Sequence, residues 1–399
     1  MDPRANPYAP GAGYPPPELA GRDEVINKAA ISLDRTKNRR SARGCIFYGL
    51  RGVGKTVLLN KIRQDAEAEG MAIVSIEAPE DRSLPGILIP ALRATLLRLN
   101  RGEAAKTAVS NAIRTLASFA KAMKVRYQDI DISFDAAPEP GAADSGDLES
   151  DLGELLMAVG DAAVERKTAV VMAIDELQYV PEEQLAALIA ALHKVNQRQL
   201  PVTIMAAGLP QLVGQSGRAK SYAERLFEFV PIDRLDEVAA TAALCRPAER
   251  EGVSFTDDAI GEILKQTRGY PYFLQEWGKH SWDIATSSPI SGDDARAASI
   301  AALAQLDASF FRVRFDRLAP AEKRYMRAMA DLGPGPHRSG DIAERLGKKV
   351  TTVAPIRSSM IGKGMLYSPS HGDTAFTVPL FDGFMRRIMP PPFDGNGAS

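Results

Sequence analysis

The chain has 399 residues, 45% apolar and 25% charged, with 49 Lys+Arg against 50 Asp+Glu and only two cysteines. That length admits two or three domains of about 100–200 residues. The near-zero net charge excludes a global nucleic-acid field, so any basic surface must be local, and Cys45 and Cys245 are too few for a disulfide framework. No apolar run approaches the ~18 residues of a membrane span. The N-terminus has no signal-peptide apolar core, so the expectation is a cytoplasmic protein with reduced thiols and no membrane partner.

Residues 1–18 hold six prolines between Asp2 and Glu18 and must be extended or turned, either loose or laid along a domain surface. Helical spacing follows over 23–35. Residues 45–48 form a short apolar run suited to a buried strand. Residues 57–68 put Val57, Leu58, Leu59 and Ile62 on one helix face. A second strand is predicted over 71–77 and helices over 84–100 and 103–124. Residues 125–135 alternate like an exposed strand or hairpin, and 136–146 read as a mobile loop. Beyond it come a helix over 148–165 and a continuous apolar run over 168–174, the mark of a central parallel strand. A helix over 182–197 and strands over 202–206 and 228–231 complete the pattern. Strands alternating with helices indicate an α/β fold, a three-layer core on a parallel sheet. From 235 to 315 the pattern is entirely helical, and the stretch to about 389 changes character again.

Residues 49–56 read Gly49-Leu50-Arg51-Gly52-Val53-Gly54-Lys55-Thr56, which fills every fixed position of G-x-x-x-x-G-K-[ST]. Glycines let the backbone turn its N–H groups toward a polyphosphate, and the following helix, from Val57 on, adds its positive N-terminal end. Lys55 is placed to reach β- and γ-phosphates and the Thr56 hydroxyl to ligand Mg²⁺. The run at 168–174 ends in Asp175-Glu176, four or more apolar residues and then two acids. There Asp175 would hold the Mg²⁺ shell at the carboxyl end of its strand, and Glu176 would orient and deprotonate the attacking water. Together these motifs predict Mg²⁺–ATP binding and hydrolysis to ADP.

Two further segments carry a family resemblance. Leu19-Ala20-Gly21-Arg22-Asp23 resembles the h-x-G-R-[DE] segment ahead of the phosphate loop in AAA+ ATPases, notably the group of STAND regulators and origin-recognition-type initiators. Arg268-Gly269-Tyr270-Pro271 resembles that group's G-x-P motif. The resemblance implies a P-loop NTPase (AAA+) core over 21–234, a helical lid over 235–315, and a winged-helix domain over 316–390. Segments 1–20 and 391–399 flank them. It also implies that Gly21 and Arg22 lie near the adenine and that Pro271 approaches the nucleotide from the lid. Gly217-Arg218-Ala219-Lys220-Ser221 resembles the initiator segment that supplies an arginine finger across a subunit boundary, with Arg225 the other candidate; either implies self-association. The chain departs from the family after its fourth strand, where residues 205–210 carry no polar sensor side chain, so either turnover is expected to be slow or the positioning of water to come from elsewhere.

Near the C-terminus a short helix over 341–346, a turn at Gly347, and a second helix from about Thr352 to Ile361 precede a hairpin, which is the winged-helix pattern. The second helix is expected to start near Thr352 because Pro355 is best tolerated in a first turn. Lys348, Lys349, Thr351, Thr352, Arg357 and Lys363 are the candidate contacts to double-stranded DNA. Between Arg338 and Arg387 eight Lys/Arg face four Asp/Glu, a local excess able to meet a few phosphates. The alternative is a nucleotide-gated switch that docks a protein effector, since the wing has no Lys or Arg between Tyr367 and Leu380. Phe310, Phe311, Tyr270, Tyr272, Phe273 and Trp277 are expected in the core.

Overall fold

A computed structural model describes residues 1–11, 13–100, 107–127, 129–130, 137–370 and 372–391. The chain separates into two compact units. The sheet unit comprises Arg22–Tyr48 and Lys55–Pro231; the helical unit comprises Met1–Gly21, Gly49–Gly54 and Ile232–Ser399. Among the described residues no helix is long and apolar enough to cross a membrane.

The sheet unit runs α1 (Asp23–Lys37), β1 (Gly44–Tyr48), α2 (Lys55–Ala68), β2 (Ala72–Glu77), α3 (Leu84–Leu99), α4 (Thr107–Arg126), α5 (Leu148–Glu165), β3 (Val170–Asp175), α6 (Glu182–Gln197), β4 (Val202–Gly208), α7 (Gln211–Ala219), α8 (Ala223–Leu226) and β5 (Phe227–Pro231). Its five strands lie in the order β2–β3–β4–β1–β5, every pair parallel. β3 is apolar and buried from Val170 to Ile174, and β4, apolar apart from Thr203, is buried from Val202 to Gly208, as strands covered on both faces must be. The register aligns Glu77 with Asp175 and Tyr48 with Gly208, so the carboxyl ends of the strands share one edge of the sheet.

Two expectations for this unit change. Val125 and Arg126 belong to α4, and residues 131–136 of the expected hairpin lie outside the described residues. The loop at 137–146 is fastened rather than loose: Ser118 Oγ donates to the Glu139 carbonyl (2.9 Å) and accepts its N–H (2.8 Å). The buried Asp151 carboxylate takes the Ser145 hydroxyl (2.6 Å) and the Gly146 N–H (2.8 Å). Backbone groups with such partners have no reason to fluctuate outward.

The helical unit contains α9 (Glu237–Arg250), α10 (Asp257–Thr267), α11 (Pro271–Ile284), α12 (Gly292–Ala308), α13 (Phe310–Asp316), α14 (Pro320–Asp331), β6 (His337–Arg338), α15 (Ser339–Arg345), α16 (Val350–Gly362), β7 (Leu366–Tyr367), β8 (Asp373–Phe376) and α17 (Phe381–Ile388). Phe273, Trp277 and Phe311 are buried, and Tyr270, Tyr272 and Phe310 pack partly buried against them. Phe311 continues the cluster to Phe381 (5.7 Å between ring centres) and Phe384 (5.3 Å), so α11 and α13 share one core with the C-terminal elements. The C-terminal strands form an antiparallel sheet in the order β6–β8–β7. α16 starts at Val350, two residues earlier than expected, and Pro355 sits in its second turn. Pro355 and Thr351 are both exposed, so water can take the carbonyl that the missing N–H leaves unbonded.

The proline-rich N-terminal segment lies along α9 and α11. Trp282 Nε1 donates to the Asp2 carbonyl (2.9 Å), Asn6 Nδ2 to Asp283 (2.8 Å), and the buried Tyr8 hydroxyl to the Leu244 carbonyl. Glu18 receives Arg246 (2.9 Å) and Arg250.

Candidate nucleotide site

The sheet unit brings Lys55, Thr56, Asp175 and Glu176 to the carboxyl edge of its strands. Lys55 and Thr56 are the first residues of α2, the end at which the dipole of a helix favours an anion. Lys55 is only 8% exposed. The Thr56 side chain hydrogen-bonds the Asp175 carboxylate. Burial pushes the Asp175 carboxyl up from the ordinary range, and the hydrogen bonds from Thr56 and the Glu176 N–H (2.8 Å) only partly offset it. A carboxylate whose charge is opposed by burial gains from a cation brought to it. Mg²⁺ characteristically takes one or two protein oxygens and completes its shell with water and substrate phosphate. The pair Thr56–Asp175 fits that requirement. An open cavity of about 190 Å³ adjoins the pair, lined also by Asn60, Arg63, Ser75 and Glu77.

Glu176 turns the chain out of β3. Its backbone is left-handed (φ 52°, ψ 36°) and it caps a short 3₁₀ turn at Leu177–Tyr179. Its carboxylate accepts a hydrogen bond from Gln178 Nε2, while Gln178 Oε1 accepts the Leu209 N–H at 2.9 Å. Gln178 did not stand out in the sequence: a glutamine two residues beyond an acidic strand end is common, and only the fold reveals its second partner. The end of β4 is bare of polar side chains, as the sequence indicated.

The helical unit holds Gly49–Gly54 of the loop, together with Gly21 and Pro271. A Cβ on Gly49 would stand 1.9 Å from the Ile232 carbonyl oxygen. The Gly52 carbonyl accepts the Tyr272 N–H (3.1 Å), and the Arg51 N–H donates to the Thr377 carbonyl (2.9 Å). Gly21 packs against Ala239 and Leu235, where a Cβ would meet Ala239 at 2.7 Å. Gly269 has φ +73°, and a Cβ there would lie 2.5 Å from the Leu235 carbonyl oxygen. Only glycine serves both demands. Tyr270 then caps α11, and Pro271 occupies its first turn, where a missing N–H costs nothing.

The remaining candidates divide. In the sheet unit, Arg218 on α7 pairs with Glu182 at 3.1 Å on the surface, whereas Arg225 on α8 is exposed with no ion-pair partner among the described residues. In the C-terminal region, Lys348, Lys349, Thr351 and Thr352 are exposed around the start of α16. Arg357 and Lys363 depart from the expectation that they are presented to DNA. Arg357 ties α16 to the hairpin through Thr374 Oγ1 (2.6 Å), Ser368 Oγ (2.8 Å) and the Asp373 carbonyl (2.8 Å). Lys363 donates to both carboxylate oxygens of the buried Glu322 (2.9 and 2.7 Å).

Residues 18–205 match the family model of an AAA ATPase domain, and residues 308–385 match a domain of unknown function, DUF8462. No curated protein matches the sequence. Among solved structures the chain is similar to a Walker-type ATPase of Pyrococcus abyssi, at 16% identity and TM-score 0.59, over 92% of this chain and 96% of that one. It is also similar to Aeropyrum pernix Orc1 in complex with DNA (17% identity, TM-score 0.46, 94% of each chain). A third is the Thermotoga maritima RuvB Holliday junction branch migration motor (16%, TM-score 0.44, 90% of this chain and 92% of that one). At 16% identity the likeness to the Pyrococcus abyssi ATPase speaks for the fold alone.

Proposed function

Since the chain carries an AAA+ P-loop ATPase domain over residues 18–205, we propose that it is a cytoplasmic Mg²⁺–ATP-dependent switch of the origin-recognition-like type. It hydrolyses ATP slowly, and its nucleotide state governs self-association and the engagement of DNA by the C-terminal region. The observation that carries this reading is the Thr56–Asp175 hydrogen bond with Glu176 beside it, which joins the two halves of a phosphate site.

In this reading the N–H groups of Gly49, Gly52, Val53, Gly54, Thr56 and Val57 receive the phosphates, and Lys55 reaches the β- and γ-oxygens. Thr56 and Asp175 hold Mg²⁺, which when bound neutralises phosphate charge. Glu176 orients the water and takes its proton. Gly21, Arg22 and Pro271 report the nucleotide to the rest of the chain, and Arg225 or Arg218 completes a neighbouring subunit's site. Lys55→Ala is expected to lose ATP binding, and Glu176→Gln to keep binding while losing about 10²–10⁴-fold in turnover. Phosphate release that is unchanged in Glu176→Gln would sink the assignment.

The three-stranded C-terminal sheet with α14, α15 and α16 supports reading this region as a winged helix whose α16 start, with Lys348, Lys349, Thr351 and Thr352, meets a duplex. A second reading, a nucleotide-gated switch for a protein effector, is favoured by the internal engagement of Arg357 and Lys363. Titration of duplex DNA with ATP present separates them: no binding at ~50 mM salt removes the DNA reading.

A further inference from the structure

The end of β4 offers no polar side chain of its own from Met205 to Pro210, yet a polar group from another segment reaches it. Gln178, buried in the turn after β3, accepts the Leu209 N–H through Oε1 at 2.9 Å and donates through Nε2 to the Glu176 carboxylate. These partners fix the orientation of the amide, because an N–H requires the oxygen and a carboxylate requires the NH₂. Gly208 makes the room: a Cβ there would stand 2.7 Å from Gln178 Oε1. β4 lies between β1 and β3 in the sheet, so this strand end is flanked by the strand leading to the phosphate loop and the strand carrying Asp175.

We infer that Gln178 is a positioning residue for Glu176, a side-chain strut from the loop after β3 that takes the place left bare at the end of β4. Glu176 sits half-buried on a left-handed turn, and a glutamate there keeps three rotatable side-chain bonds. A charge-assisted hydrogen bond from a buried amide, itself anchored to backbone, removes that freedom before ATP arrives. Orientation fixed in advance is what a proton acceptor needs for turnover, and it adds nothing to nucleotide affinity.

The inference rests on the ATPase reading, and one set of measurements on the full chain separates the two. Wild-type protein that binds a fluorescent ATP analogue but releases no phosphate overturns that reading and this role with it. If the wild type turns over, Gln178→Ala is expected to lower kcat about tenfold to a hundredfold, the worth of a hydrogen bond to a charged group. The KM and the affinity for the analogue should stay within about twofold, within the few tenths of a kcal/mol that separate independent sites. Gly208→Ala approaches the same strut from the other side and should lower kcat as well, although its Cβ also meets Leu212 at 2.7 Å. In the double variant the loss should be less than the product of the two single losses, because the added methyl no longer meets the amide. An unchanged kcat in Gln178→Ala, a rise in kcat, or strictly multiplicative losses would overturn the role of Gln178 while leaving the ATPase reading intact.

Discussion

Thr56 and Asp175 show how two ordinary side chains acquire a task from their surroundings. The two motifs name each of them separately, but the sequence does not show how they meet. Between α2 and β3, however, the hydroxyl and the carboxylate meet with burial working against the charge. Asp175→Asn should keep the neutral hydrogen bond and lose the cation, so ATP affinity should fall about tenfold or more with Mg²⁺ present and be little changed in EDTA; isothermal titration under both conditions checks it. Among the arginines, Arg225 is the freer one. A finger acting between subunits requires specific turnover to rise with protein concentration, and Arg225→Ala should flatten that rise. Arg218→Ala removes only an exposed pair and should change stability by no more than about 0.5 kcal/mol.

At the scale of elements, Glu322 ties helices together. Its carboxylate caps α14 through the Ala319 N–H (2.8 Å) and receives Ser359 (2.8 Å) and Lys363 from α16. Burial pushes its pKa up, but those hydrogen bonds outweigh it and hold the carboxyl below the usual 4.5. A depressed pKa stabilises above the unfolded value, and that stability disappears as pH falls through the folded one. The C-terminal elements should therefore loosen below about pH 4.5, and Glu322→Gln should cost about 1–3 kcal/mol at pH 7 and remove most of that acid dependence in thermal melts. α11 gives a second case. A Cβ on Gly278 would stand 2.6 Å from the Tyr8 ring, so Gly278→Ala should lift the N-terminal segment and quicken its proteolysis without touching the phosphate loop.

Much of the site is legible in the sequence, for a physical reason. The phosphate loop, Asp175 and Glu176 are adjacent in sequence to the elements that position them, and β3 is apolar on both faces, so pattern alone locates them. What escapes is long-range pairing. Nothing local says that Gln178 meets Leu209 or that Arg357 is engaged by Ser368 and Thr374. Polar side chains reveal their partners only after the backbone has brought distant segments together. The start of α16 is misplaced by sequence reasoning because the Pro355 rule weighs a missing hydrogen bond as if it were buried, and here it faces water.

For the molecule as a whole, the C-terminal elements are not an appendage to α9–α13. Phe311 is fully buried against Phe381 and Phe384, and aromatic side chains of this size each bury about 150–250 Å². A fragment ending at residue 315 should bind hydrophobic dyes and aggregate, whereas the full chain should not; dye fluorescence and light scattering decide it. If DNA is the ligand, replacing Lys348 and Lys349 by alanine should weaken every duplex alike and reduce the salt slope by about one for each phosphate no longer neutralised.

The hydrogen bond from the Arg51 amide to the Thr377 carbonyl has a practical corollary. A backbone proton in the phosphate loop is shielded by a carbonyl more than three hundred residues further along the chain. In deuterated water its exchange should be slow while β8 and its following turn remain seated and fast once they leave. The loop thus contains its own isotopic clock for the C-terminal region, readable by mass spectrometry on one short peptide, with and without ATP, and with no label attached to the protein.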